Sequence, residues 1–249
     1  MFKVEDYIAR KLSVVCMAHR GFSGRYPENT LLAFQKAIEV GADVIEFDVR
    51  SSKDGKLVVI HDSAVDRVSN GTGRVDQLTL EELKKLDLGL RQKIPILEET
   101  LDLVAGKIGL NIHIRVKGKQ LNRVVELMKE YDIVEEAFIA IEDPQEVLRL
   151  RKEYPEIHVC SLYGQTSPNY LELSEKLGVK ILQANITGPY LSRKWIEKCH
   201  QKGFAVTVFW ADTFSDIMYY MKLGVDGILT NFPDNFKEVV KKCSLSETH

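Results

Sequence analysis

Short runs of apolar, β-branched residues alternate along the chain with longer stretches in which apolar residues recur every three or four positions. The short runs predict strands at Val14–Ala18, Val44–Val49, Ile108–Ile114, Ala137–Ile141, Ile157–Leu162, Lys180–Ala184, Ala205–Phe209 and Gly227–Thr230. The longer stretches predict helices at Thr30–Val40, Leu121–Tyr131, Pro144–Tyr154, Pro168–Leu177, Ser192–Lys202 and Phe214–Leu223. Three of these helices end on the same signal, Val40-Gly41, Leu177-Gly178 and Leu223-Gly224, with a glycine placed to adopt the left-handed cap. Strands of near-continuous apolar character, mostly followed by a helix, mean a parallel sheet covered on both faces. Eight such units close naturally into a single α/β (β/α)8 TIM barrel; an open doubly wound sheet shares the same periodicity.

Two segments break the repeat. Asp54-Gly55 lies between Val49 and Leu57-Val58-Val59-Ile60, a strong hairpin signal. A two-residue turn there would set Asp48 opposite His61. Ser63–Gly106 is too long for one crossover; it predicts helices at Leu80–Leu86 and Ile96–Val104 around an Asn70-Gly71-Thr72-Gly73 loop. The expected organisation is thus one domain over 1–249, with an insertion over about 50–106 on one end of the barrel.

Composition narrows the function. With 34 basic and 36 acidic residues the 249-residue chain carries a formal charge of −2, which argues against a nucleic-acid or anionic-membrane binder. An apolar fraction of 45% excludes disorder. No run approaches the roughly 18 apolar residues of a membrane span, and the acidic N-terminus is unlike a signal peptide. Cys16, Cys160, Cys199 and Cys243 have neither metal-ligand spacing nor a CxxC pair. The expectation is a cytoplasmic protein without a stable membrane anchor.

The chemistry gathers at predicted strand ends. His19 and Arg20 close the first strand, where barrel enzymes place their sites. Glu46 and Asp48 are two apart on the second strand and share a face. Two carboxylates inside a barrel repel unless a cation or protons lie between them. The hairpin brings His61 back beside them. Two histidines with a hard-cation site suit acid–base hydrolysis of an ester anion, and Arg20 adds a fork for phosphate. In Tyr26-Pro27-Glu28-Asn29-Thr30, Asn29 or Thr30 is placed to cap the first helix, whereas Glu28 lies just above the site.

His19-Arg20-Gly21, Pro27-Glu28-Asn29-Thr30, Glu46-x-Asp48, Ser52-Lys53-Asp54-Gly55 and His61-Asp62 closely resemble the glycerophosphodiester phosphodiesterases, and Gly224-Val225-Asp226-Gly227-Ile228-Leu229-Thr230 is similar to that family's last barrel strand. The resemblance implies a barrel that hydrolyses glycerophosphodiesters to glycerol 3-phosphate and an alcohol. It also implies a Mg²⁺ or Ca²⁺ ion held by Glu46, Asp48 and a third acid, acid–base histidines His19 and His61, and Arg20 on the phosphate. The family's Glu-x-Lys strand is here Ile112-His113-Ile114-Arg115, so His113 stands at the third ligand and Arg115 keeps a cation for phosphate. Imidazole in place of carboxylate brings Mn²⁺ or Zn²⁺ into range. The chain also departs from the family at Ala140, Asp212 and Asn231, while Phe209 and Trp210 offer surface to a substrate's carbon skeleton. The expected partner is a small phosphodiester. The rival readings are a lysophospholipase D-type enzyme, which should show an apolar entrance, and a catalytically impaired barrel that binds phosphate esters.

Overall fold

The structure, a computed structural model, describes residues 1–246. In chain order its elements are α1 (Val4–Ile8), β1 (Val15–His19), α2 (Leu31–Glu39), β2 (Val44–Ser51), β3 (Leu57–Val59), α3 (Leu80–Lys85), α4 (Leu97–Val104), β4 (Gly109–Ile114), α5 (Lys119–Glu130), β5 (Ala137–Ile141), α6 (Pro144–Glu153), β6 (His158–Ser161), α7 (Tyr170–Lys176), β7 (Ile181–Asn185), α8 (Arg193–Gln201), β8 (Ala205–Phe209), α9 (Phe214–Leu223), β9 (Gly227–Thr230) and α10 (Pro233–Ser246). Strands run β1-β9-β8-β7-β6-β5-β4-β2, all parallel, and β1 pairs with β2 to close the sheet into a barrel. This is the predicted (β/α)8 architecture rather than an open sheet. Gly41, Gly178 and Gly224 have φ of +81°, +69° and +100°, as the helix-end pattern requires.

Alternation along the strands divides the side chains between two cores. Ile45, Phe47, Val49, Leu110 and Ile112 face outward under the helices. Val15, Met17, Val44, Phe138, Ala140, Cys160 and Leu229 point inward, with Phe2, Val4 and Tyr7 packed against them. The N-terminal segment thus closes the bottom of the barrel. A side chain at position 109 would strike Phe2, since a Cβ there would lie 2.5 Å from its ring, so glycine is required for this closure. Sequence periodicity does not reveal α1 or α10: α1 is a single short turn region, and α10 begins directly at Pro233. The insertion packs its own small core, with Val65, Val75, Leu83, Leu88 and Ile94 against Val58 and Ile60.

The hairpin forms, but in a different register from the expected one. Its loop has three residues: Ser52 N–H donates to Lys56 O (2.9 Å), and Gly55 takes φ +78°. Val49 then pairs with Val59, Arg50 with Val58 and Ser51 with Leu57. Ile60 N–H donates to Asp48 O at 3.0 Å, so Ile60 and not His61 lies opposite Asp48. A one-residue shift reassigns every facing partner. His61 lies beyond β3 in a bend, held by Arg50 Nε donating to its carbonyl at 2.7 Å.

Candidate active site

The register of three neighbouring strands builds the site. His19 lies beside Glu46, Glu46 beside Asn111, and Asp48 beside His113. Glu46, Asp48 and His113 all point into the barrel mouth, and their ligand atoms lie within 4.8 Å of one another. His113 Nδ1 is 3.2 Å from Asp48 Oδ1 and 3.7 Å from Glu46 Oε1. Asp48 is fully buried, Glu46 nearly so. Arg20 Nε lies 3.7 Å from Asp48 Oδ2, and Arg115 Nε 3.8 Å from Asp48 Oδ1. Burial alone would raise the Asp48 pKa; His113, His61 and Arg20 outweigh it and hold the carboxyl well below the usual range. For His113 burial works downward, but Asp48 and Glu46 prevail and its pKa is raised.

Local backbone aims these groups. Gly21 at φ +77° approaches Ala33 so closely that a Cβ would lie 2.7 Å from its backbone. Arg20 and Asn29, both at φ +55°, occupy the left-handed region, which costs a non-glycine residue energy and clusters at functional sites. Arg20 N–H donates to Glu46 Oε2 (2.9 Å), fixing that carboxylate. Thr30 caps α2, accepting from Ala33 N–H. Asn29 instead turns its side chain toward the carboxylates, and its Nδ2 donates to Asp48 Oδ2 at 3.1 Å.

Both histidines reach the mouth. His19 Nε2 lies 3.9 Å from Glu46 Oε2, and the Trp210 ring stacks on His19 at 5.9 Å between centroids. His61 sits at the edge: Nδ1 meets Asp62 Oδ1 at 2.6 Å, and Nε2 lies 3.4 Å from Arg115 Nη2. Arg115 therefore bridges His61 to Asp48 despite the changed register. Arg67, from the insertion, joins the site with no signal in the sequence pattern. It donates to both oxygens of Glu28 (2.9 and 2.7 Å) and to both of Asp62 (2.6 and 3.2 Å). Glu28 in turn accepts from Arg20 Nη1 at 2.9 Å. Hydrogen bonds from Arg67, opposed by slight burial and aided by His61, lower the Asp62 pKa to about 2.

The donor set fits a divalent cation. Asp48 Oδ1, Arg20 Nε and Arg115 Nε are buried without a hydrogen-bond partner among the described residues, a cost that a bound ion and a phosphate oxygen would remove. Two carboxylates and an imidazole offer both hard oxygen and borderline nitrogen ligands. The family model for glycerophosphoryl diester phosphodiesterases matches residues 19–235, which span this whole arrangement. The chain belongs to that family. It is similar to the glycerophosphodiester phosphodiesterase of Caldanaerobacter subterraneus subsp. tengcongensis, at 35% identity over 93% of this chain and 99% of that one. A second relative of the same description, from Bacillus altitudinis, is 32% identical over 87% of this chain and 94% of its own length. Among solved structures, the Thermotoga maritima glycerophosphodiester phosphodiesterase superposes with a TM-score of 0.77 at 27% identity, covering 92% of this chain and 99% of that one. An Oleispira antarctica phosphodiesterase, solved with its product sn-glycerol-3-phosphate, shares the fold at a TM-score of 0.84 and 23% identity, over 94% and 99% of the two chains. This family member is a glycerophosphodiester phosphodiesterase, and so a phosphoric diester hydrolase. Among the described residues no helix is long and apolar enough to cross a membrane.

Proposed function

We propose that this chain hydrolyses glycerophosphodiesters to glycerol 3-phosphate and an alcohol in a divalent-cation-dependent reaction, with His19 and His61 sharing the proton transfers. Glu46, Asp48 and His113 hold the cation, and Arg20 and Arg115 bind the phosphate. One observation carries the reading: two carboxylates and an imidazole converge in a buried mouth flanked by two guanidinia with orphaned Nε–H groups. A bound cation supplies charge neutralisation for the phosphoryl oxygens. His19 lies beside Glu46 and His61 beside Arg115, each with Nδ1 against a side-chain oxygen, of Asn231 and of Asp62, and Nε2 toward those groups. That arrangement suits one proton removed from a glycerol hydroxyl as it attacks phosphorus and one delivered to the departing alcohol, with water then opening the cyclic phosphate to glycerol 3-phosphate. Trp210, stacked on His19, gives the glycerol or alcohol carbons an aromatic surface. We assign the activity to one barrel domain over 1–249, with its insertion over about 50–106. We place it in the cytoplasm, where buried thiols such as Cys16, Cys160 and Cys199 stay reduced.

A second reading, lysophospholipase D-type hydrolysis, draws on one feature: Tyr163, Ile186 and Trp210, just beyond the ends of β6, β7 and β8, are exposed apolar side chains at the mouth. A coupled assay for glycerol 3-phosphate over a panel of glycerophosphodiesters, beside an assay for choline or ethanolamine release from long-chain lysophospholipids, separates the two. Glycerol 3-phosphate release at the higher kcat/KM is the expected result. Binding of glycerol 3-phosphate without turnover of any diester would leave only a phosphate-ester-binding barrel.

A further inference from the structure

His19 Nδ1 lies 2.8 Å from Asn231 Oδ1, and the rest of Asn231 is held by Asp212. Asp212 Oδ2 accepts from Asn231 Nδ2 (2.7 Å), while Asp212 Oδ1 accepts from Asn231 N–H (2.7 Å) and Thr230 Oγ1 (3.0 Å). The Asp212 carbonyl accepts from Asn235 Nδ2 at 2.8 Å, which ties the loop after β8 to the start of α10. The Ser23 hydroxyl lies 2.6 Å from His19 O and 2.8 Å from Asn231 Oδ1, and its one proton serves those two acceptors. We infer that Asp212 is a positioning residue which, by orienting the Asn231 amide, fixes His19 as the Nδ1–H tautomer with its Nε2 lone pair in the site.

The physical reason is polarity. The two ends of an Asn amide have the same shape and opposite hydrogen-bonding character, whereas a carboxylate only accepts. Asp212 therefore takes the NH2 end, and Oδ1 is left facing His19. An acceptor at Nδ1 demands a proton there, so the neutral ring bears its lone pair on Nε2, the atom 3.9 Å from Glu46. Without the carboxylate the Asn231 amide is free to turn, present NH2 to Nδ1 and put the ring proton on Nε2. A histidine base in the wrong tautomer is the defect that costs a serine protease triad about 10⁴-fold in kcat. Asp62 does for His61 directly what Asp212 does for His19 through an amide.

The inference rests on His19 taking part in the proton transfers proposed above, and its test separates the two ideas. ¹⁵N NMR of the His-labelled, Mg²⁺-supplemented wild-type protein reads the tautomer directly: protonated-type Nδ1 and unprotonated-type Nε2 are expected at His19. The reverse pattern overturns the inference whatever the activity. A wild type that turns over no diester overturns the proposed function and leaves the tautomer result standing. Asp212→Asn is expected to move the His19 proton to Nε2 and lower kcat by about 10²- to 10⁴-fold with KM within about threefold. The exchanged pair, Asp212→Asn with Asn231→Asp, puts an obligate acceptor back on Nδ1 and is expected to regain the tautomer and kcat to within about tenfold of wild type. A merely structural Asp212 would make that pair no better than the single variant, and this result overturns the inference. So does Asp212→Asn with tautomer and kcat unchanged. Where Asp212→Asn fails to fold, the exchanged pair alone decides by the same two readouts.

Discussion

His113 is where this chain differs most consequentially from the pattern its motifs resemble. A carboxylate at that position would give three acidic ligands a charge of −3; with a neutral imidazole beside Glu46 and Asp48 the charge is −2. Lower ligand charge weakens hard cations, and nitrogen favours transition metals. The expected activation profile is Mn²⁺ or Zn²⁺ above Mg²⁺ or Ca²⁺, with His113→Glu reversing the order; identical profiles would place His113 outside the ligand set. Because Asp48 and Glu46 overcome burial and raise the His113 pKa above its ordinary value of about 6.5, a proton competes with the metal at pH values where a free imidazole would already have lost it. Metal affinity should therefore fall as pH drops below that raised value, which calorimetric titration at pH 6 and pH 8 measures. His19→Ala and His61→Ala test the proton transfers: each should cut kcat by about 10²- to 10⁴-fold with the far-ultraviolet circular dichroism unchanged. A loss under tenfold in both would remove them from that role.

At the level of elements, the hairpin and the insertion hold the mouth in shape. Arg67 joins Glu28, which fixes Arg20, to Asp62, which fixes His61. Burial pushes the Glu28 pKa up, but Arg67 and Arg20 prevail and lower it; Arg67 likewise lowers that of Asp62, which falls to about 2. Carboxylates depressed in the folded state stabilise it above their unfolded pKa, and that contribution is lost as pH falls through the folded value. The melting temperature should thus fall on acidification from about pH 5 to pH 2, and Arg67→Gln should flatten the slope while lowering kcat. An unchanged slope would mean that Arg67 does not couple to these acids. The strands, and six helices of the barrel frame, are legible in the sequence because burial imposes continuous apolar runs on strands covered on both faces and a period of 3.6 residues on helices. Glu46, Asp48, His113 and Arg115 are legible because alternation along β2 and β4 points them inward. The hairpin register is not, because Asp-Gly suits both two- and three-residue loops and a single residue decides which side chain faces Asp48. Asn29 reads in sequence as a cap; only the left-handed bend at Arg20 and Asn29 brings its amide to Asp48. The bonds of Arg67, Asp212 and Asn231 join distant loops, and no local period encodes them.

Across the whole molecule, the barrel is apolar below and charged above. Phe2, Val4, Tyr7 and the inward layer of Met17, Phe138 and Leu229 close the bottom, so the carboxylates of the mouth face a low-dielectric floor. A ligand that binds only the folded state stabilises it by mass action. Metal at about 100 times its Kd should add about 2.7 kcal/mol, a rise of roughly 5–10 °C in melting temperature for a chain of this size, and Asp48→Asn should abolish most of that rise. The near-balanced net charge of −2 leaves the local field of Arg20 and Arg115, not a global one, to draw in the phosphodiester. All of this turns on a cation at Glu46, Asp48 and His113. The most direct test is glycerol 3-phosphate release from glycerophosphocholine before exhaustive chelation, after it, and after adding back each divalent metal. Loss of activity on chelation and its return with a transition metal is the predicted result; an enzyme as active after chelation as before would contradict it.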